Sequence, residues 1–184
     1  MKLTLVGPRS VGKSTVGKVL SKILGIKYFE GDKLMHNALK KYGGLDKVIK
    51  SRKTHLIAER AFSLIKSILN NKKTILDLAG GAISSRKHKK ISEQILKLIK
   101  RESKVIGLLP TKKMKESIEF LFKREAKRKH FKKTNKLDLK KEVRENYLKL
   151  KNKLKEHSDI VIYVNGKTPL QIAKEIIKRL EEVN

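Results

Sequence analysis

Five short runs of apolar, β-favouring residues recur along the chain, and longer amphipathic segments separate them. These runs predict strands at residues 1–6, 26–30, 74–78, 105–109 and 160–164. The third run is almost continuously apolar, which is typical of a strand that is covered on both faces. Between the runs, apolar residues recur every three or four positions, as on one face of a helix. This alternation predicts a three-layer α/β fold, in which a five-stranded parallel sheet carries helices on both faces.

Several helix ends can be placed from capping residues. Residues 84–85 are two serines that can cap the helix after the third strand, and Asp138 is a favoured N-cap for the helix before the fifth. Residues 168–171 combine a capping box with proline at the first helical position. The spacing of apolar residues also predicts that Met114 and Leu170 face the core.

A glycine-rich loop lies between the first predicted strand and the first predicted helix. Residues 7–15 match G-x-x-x-x-G-K-[S/T], the phosphate-binding loop, at every fixed position and in the required context. In such a loop, backbone N–H groups surround a phosphate at the positive end of a helix. We expect Lys13 to reach the β- and γ-phosphates of ATP and the Ser14 hydroxyl to bind magnesium. The expected ATP contacts of the loop are Gly7, Pro8, Arg9, Ser10, Val11, Gly12, Lys13, Ser14 and Thr15.

The composition fits one cytoplasmic domain. A chain of 184 residues, 39% hydrophobic and 35% charged, can form one core beneath a highly charged surface. It contains no cysteine, which excludes a disulfide framework and a thiolate zinc site. The N-terminus shows no signal-peptide pattern, and no apolar run is long enough to span a bilayer. We therefore expect a single domain over residues 1–184 that is cytoplasmic, monomeric and not bound to a membrane.

The net charge of +29 is the unusual feature of the composition. Only nine of the 47 basic residues are arginine, so the excess is almost entirely lysine. Such a charge attracts polyanions and gives non-specific affinity for nucleic acid at low salt. The few aromatic residues are not interleaved with the basic runs as a base-stacking platform would be. A dedicated RNA or DNA surface, a hyperthermophile surface and a lysine-rich genome stay open as explanations.

Acidic residues fall at the carboxyl ends of two predicted strands, where parallel sheets bind their ligands. Asp32 can orient an acceptor hydroxyl or take its proton, and its alternative role is to cap the next helix. Asp77 can orient the waters of a metal ion, or it can be a buried acid paired with a lysine or a backbone donor. Glu30 can hold a metal-bound water. Ser14, Glu30 and Asp77 therefore form the predicted magnesium site.

A basic segment precedes the fifth strand. Residues 112–155 contain 18 basic and six acidic residues, and the helical pattern is lost between about 123 and 137. This segment suits a lid, because arginine that closes over ATP stabilises the phosphate charge and excludes water. Arg124 and Arg128 lie four residues apart on one helical face and are the expected ATP-binding arginines; a solvated helix end is the alternative for each.

The second crossover, at about residues 32–70, is the expected location of the acceptor-binding region. Arg52 or Arg60 could bind a carboxylate or phosphate of a small anionic acceptor, and a surface position is the alternative for each. Gly80 and Gly81 follow the third strand and permit a ligand to approach the backbone closely. The histidines show no ligand spacing and are given no role: His36, His55, His88, His130 and His157.

Several of these segments resemble the shikimate kinases. The family pattern is followed by the loop up to Gly17, by residues 24–32, by the glycine segment 75–83 and by the closing run 158–176. The resemblance implies a P-loop NTPase fold of the nucleoside-monophosphate-kinase type, with strand order 2-3-1-4-5. It also implies ATP with magnesium, and transfer of the γ-phosphoryl group to a small-molecule hydroxyl.

The chain departs from the family pattern at three positions. Glu30 stands in place of the first Asp, and Asp77 stands in place of a small residue. Ala79 replaces the first glycine of a triple-glycine loop that contacts shikimate in the family. The acceptor-binding residues that the resemblance implies here are Gly80, Gly81, Arg144 and an arginine of the second crossover, for which Arg60 is nearer in spacing and Arg52 needs an insertion.

We therefore predict an ATP-dependent small-molecule kinase in which Lys13, Asp32 and Arg124 are catalytic. Two alternatives stay open. One is a nucleoside or nucleotide kinase, because Asp77 with its glycines also resembles the third strand of nucleotide kinases. The other is a P-loop ATPase associated with RNA or DNA, with the basic surface as its interface.

Overall fold

The chain forms one five-stranded parallel sheet flanked by helices. The computed structural model describes residues 1–127 and 135–182. In spatial order the strands run β2-β3-β1-β4-β5, which confirms the predicted α/β fold and the strand order implied by the family resemblance. The strands are β1 Lys2–Gly7, β2 Tyr28–Glu30, β3 Thr74–Ala79, β4 Lys104–Leu109 and β5 Ile160–Tyr163.

Nine α-helices and a 3₁₀ turn at Lys40–Tyr42 connect the strands within the described residues. The helices are α1 Lys13–Leu24, α2 Gly31–Ala38, α3 Gly44–Lys50, α4 His55–Leu69, α5 Gly81–Ser84, α6 Lys89–Glu102, α7 Met114–Ala126, α8 Lys136–His157 and α9 Pro169–Glu182. Helix α1 packs beside α9, α4 beside α6, and α7 beside α8. None of these described helices combines the length and apolar character that crossing a membrane requires.

The register of the central strands fixes where the site forms. Strand β1 lies between β3 and β4, and its Leu5 pairs with Asp77 while Gly7 pairs with Ala79. Glu30, the last residue of β2, pairs with Asp77 from the other side. Because all five strands are parallel, their carboxyl ends meet at one edge of the sheet.

The core between the sheet and the helices is largely aliphatic. Leu5, Leu76 and Ile106, one from each central strand, are fully buried. Burial of such a side chain stabilises the folded state by about 1.5–3 kcal/mol relative to leaving it exposed. Repeated along the central strands, this burial gives the carboxyl-end edge of the sheet a rigid base.

The start of α8 differs from the prediction. Asn135, and not Asp138, caps this helix, since Asn135 Oδ1 accepts a hydrogen bond from the backbone N–H of Leu137 at 2.9 Å. Asp138 lies inside the first turn, where the helix dipole still favours a carboxylate. The predicted apolar spacing of this helix is confirmed from Leu139 to Leu154, which are both buried.

Of the other two predicted caps, the one at α9 is confirmed and the one at α6 is wrong. At α9, Thr168 N donates to Gln171 Oε1 at 2.8 Å and Gln171 N donates to Thr168 Oγ1 at 3.2 Å, which is the expected capping box. The serine pair does not cap α6: Ser84 ends the short helix α5, and α6 begins only at Lys89.

Two apolar side chains that were predicted to face the core are exposed. Met114 is 38% exposed and Leu170 is 49% exposed. Both lie in the first turn of their helices, α7 and α9, where no preceding turn covers the apolar face. At these two helices the buried apolar face therefore begins one turn later than the spacing predicts.

Candidate active site

Backbone conformation and close packing shape the loop between β1 and α1. Gly12 has φ 110°, in the left-handed region that favours glycine, and Ser10 has φ 63°. Gly7 has no room for a side chain, since a Cβ there would lie 2.6 Å from the Leu108 carbonyl oxygen. Val11 is buried and anchors the loop on the core. The first N–H groups of α1 therefore face a fixed concavity, the arrangement that binds phosphate.

A cavity of about 270 Å³, the loop cavity, lies against this loop. Its lining residues outside the loop are Asp32, Asp77 and Arg124. Lys13 lies across the loop, with Nζ donating to the Gly7 carbonyl at 3.1 Å and the Pro8 carbonyl at 3.4 Å. Cationic and acidic groups that are far apart in sequence thus meet at the carboxyl ends of the strands.

Asp77 is the buried acid of the loop cavity. It is 6% exposed, and its Oδ2 accepts hydrogen bonds from Ser14 Oγ at 2.6 Å and from the Tyr28 hydroxyl at 3.2 Å. These two hydroxyl donors offset part of the cost of burying the carboxylate. Burial, and then the Asp77 charge, raise the pKa of Tyr28 above its ordinary value, so Tyr28 stays a donor.

Sequence reasoning assigned no role to Tyr28, although a signal for it exists. Side chains two residues apart on a strand share one face, which places Tyr28 on the same face of β2 as Glu30. Because Glu30 belongs to the predicted magnesium site, Tyr28 on the same face of the strand can be expected to lie near it.

Asp32 lies in the first turn of α2, directly after β2. The N-cap position of this helix is taken by Glu30, so Asp32 does not act as the N-cap that was considered as its alternative role. Asp32 lines the loop cavity and also a second cavity beside it. Glu30, the last residue of β2, pairs with Asp77 of β3 in the sheet. It is not among the residues that line either cavity.

Arg124 connects the last turn of α7 to the loop. Its Nη1 donates to the Val11 carbonyl at 3.2 Å, and its guanidinium carbon lies 4.8 Å from the centre of the Phe120 ring. Both contacts hold the cation at the loop cavity, which Arg124 lines. Arg128 and residues 128–134 of the predicted lid at about 123–137 lie outside the described residues. Within that lid, residues 123–126 belong to α7 and residues 136–137 belong to α8.

An ionic contact also joins the loop to α7 and α8. Arg9 pairs with Glu125, which is 1% exposed, and with the exposed Glu142 at 2.9 Å. A carboxylate as buried as that of Glu125 requires a paired charge. Glu125 was not predicted as a site residue. The sequence does contain a signal for its burial, because Glu125 lies four positions after Leu121 on the apolar face of α7.

The three arginines that were expected to bind the acceptor lie apart from one another. Arg60 donates to the Tyr42 hydroxyl at 3.1 Å and stacks on its ring at 5.0 Å. Arg52 is exposed in the link between α3 and α4, with φ 57°. Arg144 lines a separate surface cleft between α7 and α8. None of these three described side chains lines the loop cavity or the cavity beside it.

The second cavity, of about 290 Å³, meets the loop cavity at Asp32. Aliphatic side chains of α2, α3, α4, β3 and α6 form most of its wall, and we call it the apolar cavity. Gly81 lines it, and a Cβ at Gly81 would meet nothing within 4 Å. Gly80 is closed off, because a Cβ there would overlap Leu150 of α8. Of the two glycines, only Gly81 is placed at the cavity.

The apolar cavity includes a small polar group of residues that sequence reasoning missed. Thr54 Oγ1 and His88 Nε2 lie 3.1 Å apart, and Ser85 Oγ accepts a hydrogen bond from the His88 backbone N–H at 3.2 Å. Ser92 also lines the cavity. Metal-ligand spacing alone gave no reason to choose His88. The available signal was its position at the start of α6, four residues before Ser92.

The fold and the site together define a P-loop nucleotide-binding protein of the nucleoside-monophosphate-kinase type. A family model described as shikimate kinase matches residues 9–181. The chain belongs to the shikimate kinase family. The match begins inside the loop and ends in α9, so it includes nearly the whole site.

Individual relatives agree with this family. Shikimate kinase 1 and shikimate kinase 2, both chloroplastic proteins of Oryza sativa subsp. japonica, are 34% and 32% identical to this chain over 82 residues. Those residues are 43% of this chain, and the chain spans about a quarter of the length of these curated relatives, 25% of each.

Solved structures share the fold. A shikimate kinase from Acinetobacter baumannii, in complex with shikimate, has a TM-score of 0.77 at 20% identity, covering 100% of this chain and 94% of that one. The shikimate kinase of Aquifex aeolicus gives 0.66 at 22% identity, with 100% and 98% covered. A gluconokinase from Sinorhizobium meliloti gives 0.57 at 15% identity, with 99% and 92% covered.

Proposed function

We propose that this protein transfers the γ-phosphoryl group of ATP to a hydroxyl group of a small molecule. The observation that carries the proposal is the meeting of two cavities at one carboxylate. The loop cavity has the charges that a nucleotide phosphate needs, the apolar cavity has room for an acceptor, and Asp32 lines both. Membership of the shikimate kinase family supports the same chemistry.

In this proposal the loop holds the phosphates of ATP. The N–H groups at the start of α1 and the Lys13 ammonium bind the β- and γ-phosphates. Arg124, fixed by Val11 and Phe120, stabilises the charge of the transferring group. Arg128 would add a second cation from the lid at about residues 123–137.

The donor set of the loop cavity fits magnesium bound together with ATP. Mg²⁺ prefers oxygen ligands and is usually held by one or two carboxylates in addition to substrate phosphates. The Ser14 hydroxyl would bind the ion, and Asp77, whose Oδ2 lies 2.6 Å from Ser14 Oγ, would orient its waters. Glu30, predicted for the same role, lies outside the lining of the loop cavity. The described residues contain no cluster of three or more His, Cys, Asp or Glu side chains that could hold a metal ion. When bound, magnesium neutralises charge on the phosphates.

Asp32 acts on the acceptor. It orients the acceptor hydroxyl toward the γ-phosphorus and accepts the hydroxyl proton. The acceptor oxygen forms a bond to phosphorus, the bond from phosphorus to the β–γ bridging oxygen breaks, and ADP leaves. The acceptor body lies in the subregion at about residues 32–70 and beside Gly81.

The test is ADP formation from MgATP against a panel of shikimate, gluconate, nucleosides and nucleoside monophosphates. Lys13→Ala should lower the acceptor-dependent rate by about 10²–10³-fold, because a preorganised cation is lost. Asp32→Asn keeps the shape of the side chain, and should lower kcat by about 10²–10⁴-fold while the affinity for ATP stays unchanged. Wild-type rates in both variants would contradict the proposal. Selective stimulation by a nucleoside or its monophosphate would identify a nucleoside or nucleotide kinase.

A further inference from the structure

Two acidic side chains are buried among the described residues, and both contact the loop between β1 and α1. Asp77, which is 6% exposed, contacts the loop through Ser14, and Glu125, which is 1% exposed, contacts it through Arg9. Asp77 belongs to the proposed magnesium site, whereas Glu125 has no role in the proposed phosphoryl transfer. Burying an ion pair costs desolvation free energy that the attraction between the charges often fails to exceed. Fold stability alone therefore explains Glu125 poorly.

The position of Glu125 within α7 is unfavourable for a second reason. Helix α7 ends at Ala126, so Glu125 lies in its last turn, at the negative end of the helix dipole. A carboxylate is disfavoured there, and lysine or arginine is preferred. Residues that oppose local preferences in this way are typical of functional positions.

The neighbouring residue, Arg124, extends from the same turn to the loop cavity. Its Nη1 donates to the Val11 carbonyl at 3.2 Å and lies 3.7 Å from the position that a Cβ on Gly12 would take. The last turn of a helix has unpaired carbonyl groups and frays readily. One hydrogen bond to the loop fixes a distance, and a second attachment at the next residue also fixes the direction of the turn. The pair of Glu125 with Arg9 is such an attachment.

We propose that Glu125 is a positioning residue of the nucleotide site. By binding Arg9 it holds the last turn of α7 on the loop, and so keeps the Arg124 guanidinium at the loop cavity. The inference rests on the proposed function, because it takes Arg124 to bind ATP. Glu142 also binds Arg9, at 2.9 Å, but it is an exposed residue of α8, and exposed ion pairs contribute little.

Positioning and simple electrostatics predict opposite effects of Glu125→Gln on nucleotide affinity. The substitution removes a negative charge close to the phosphate site, and Coulomb's law alone predicts tighter binding of an anionic nucleotide. If Glu125 positions Arg124, the same substitution releases the turn and weakens binding. The sign of the change therefore separates the two explanations.

The test measures binding of a non-hydrolysable ATP analogue with magnesium to the full chain by isothermal titration calorimetry. Glu125→Gln should weaken binding about fivefold or more. In an Arg124→Ala background, which itself binds more weakly than wild type, Glu125→Gln should change the affinity by less than about twofold, because the group that it positions is gone. Glu142→Gln is the matched control on the same arginine, and should change the affinity by less than about twofold.

Urea unfolding shows whether each variant is folded under the binding conditions. Arg9→Lys serves if Glu125→Gln does not fold, because it keeps the charge of the pair and loses the guanidinium fork that reaches Glu125 and Glu142 together. Its effect should likewise disappear in the Arg124→Ala background.

Unchanged or tighter binding in folded Glu125→Gln, or in Arg9→Lys where that variant replaces it, would overturn the inference. So would an equal weakening with and without Arg124, or wild-type affinity in Arg124→Ala. ADP formation with an acceptor is measured separately and tests the proposed function. A nucleotide affinity that depends on Glu125 in a protein without phosphoryl transfer would refute only the proposed function, so the two failures can be told apart.

Discussion

At the scale of single residues, the buried carboxylate of Asp77 depends on its two hydroxyl donors. Ser14 comes from the loop and Tyr28 from β2, so this one acid holds two neighbouring elements beside the phosphate site. Removal of either donor leaves an acceptor with fewer partners in a buried position, which is costly. The cluster also makes the stability of the protein depend on pH.

Tyr28 provides the pH prediction. Its folded-state pKa is raised, first by burial and then by Asp77, whereas an unfolded tyrosine ionises near pH 10. The stabilisation from Tyr28 is therefore complete below about pH 10 and is lost as the pH rises, because the unfolded chain gives up its proton first. Urea unfolding at pH 8.5 and pH 11 should show a difference in free energy between wild type and Tyr28→Phe that shrinks at the higher pH. An equal difference at both values would contradict this explanation.

Arg9 and its two acidic partners provide a matched comparison. Glu125→Gln removes the buried charge that pairs with Arg9, and should lower the free energy of unfolding by about 1–3 kcal/mol. Glu142→Gln removes the exposed partner of the same arginine, and should cost less than about 1 kcal/mol. Urea titration measures both. Equal losses in the two variants would show that the buried pair of Arg9 with Glu125 stabilises the protein no more than the exposed pair with Glu142.

Residue positions were predictable from sequence where local geometry alone fixes them. The loop motif sets its own backbone shape, so Lys13 and Ser14 could be assigned from spacing and were found lining the loop cavity. The acceptor arginines could not be placed this way. Whether Arg60 faces a ligand or the ring of Tyr42 depends on tertiary packing, which spacing does not contain.

At the scale of elements, the two glycines at the junction of β3 with α5 have different surroundings. Gly80 lies against Leu150 of α8, whereas a Cβ at Gly81 would meet nothing within 4 Å. Gly80→Ala should therefore destabilise the protein by about 1–3 kcal/mol, the usual cost of overpacking. Gly81→Ala should leave the urea midpoint nearly unchanged. If Gly81→Ala proves the more destabilising variant, the assignment of the two glycines is reversed.

Element types were predictable along most of the chain, and element ends were less so. The five strands follow from apolar runs, and the parallel sheet buries β1, β3 and β4 most completely. Helix ends depend on competition among neighbouring capping groups. At α8 the N-cap is Asn135 and not Asp138. The second crossover is divided into α3 and α4 by the link that contains Arg52, whose φ is 57°.

At the scale of the whole molecule, strand order creates the site. Because β1 lies between β3 and β4, and β3 lies beside β2, residues from the ends of three strands meet around the loop. The sequence predicted this meeting, because parallel sheets place strand ends at one edge. It did not predict the apolar cavity, whose wall comes from several helices and from β3 at once. Such a wall depends on how the helices pack together, which the spacing of apolar residues within one helix does not determine.

The most direct test of the proposed kinase follows the phosphorus atoms themselves. Phosphorus-31 NMR of the protein with MgATP and the most stimulating acceptor should show a new phosphomonoester signal that grows in equal amount with ADP. The signal should be absent in Lys13→Ala. Conversion of ATP to ADP and inorganic phosphate alone, with or without added RNA, would contradict the account. Such a result would instead identify an ATPase, with its basic surface as the place to look for a partner.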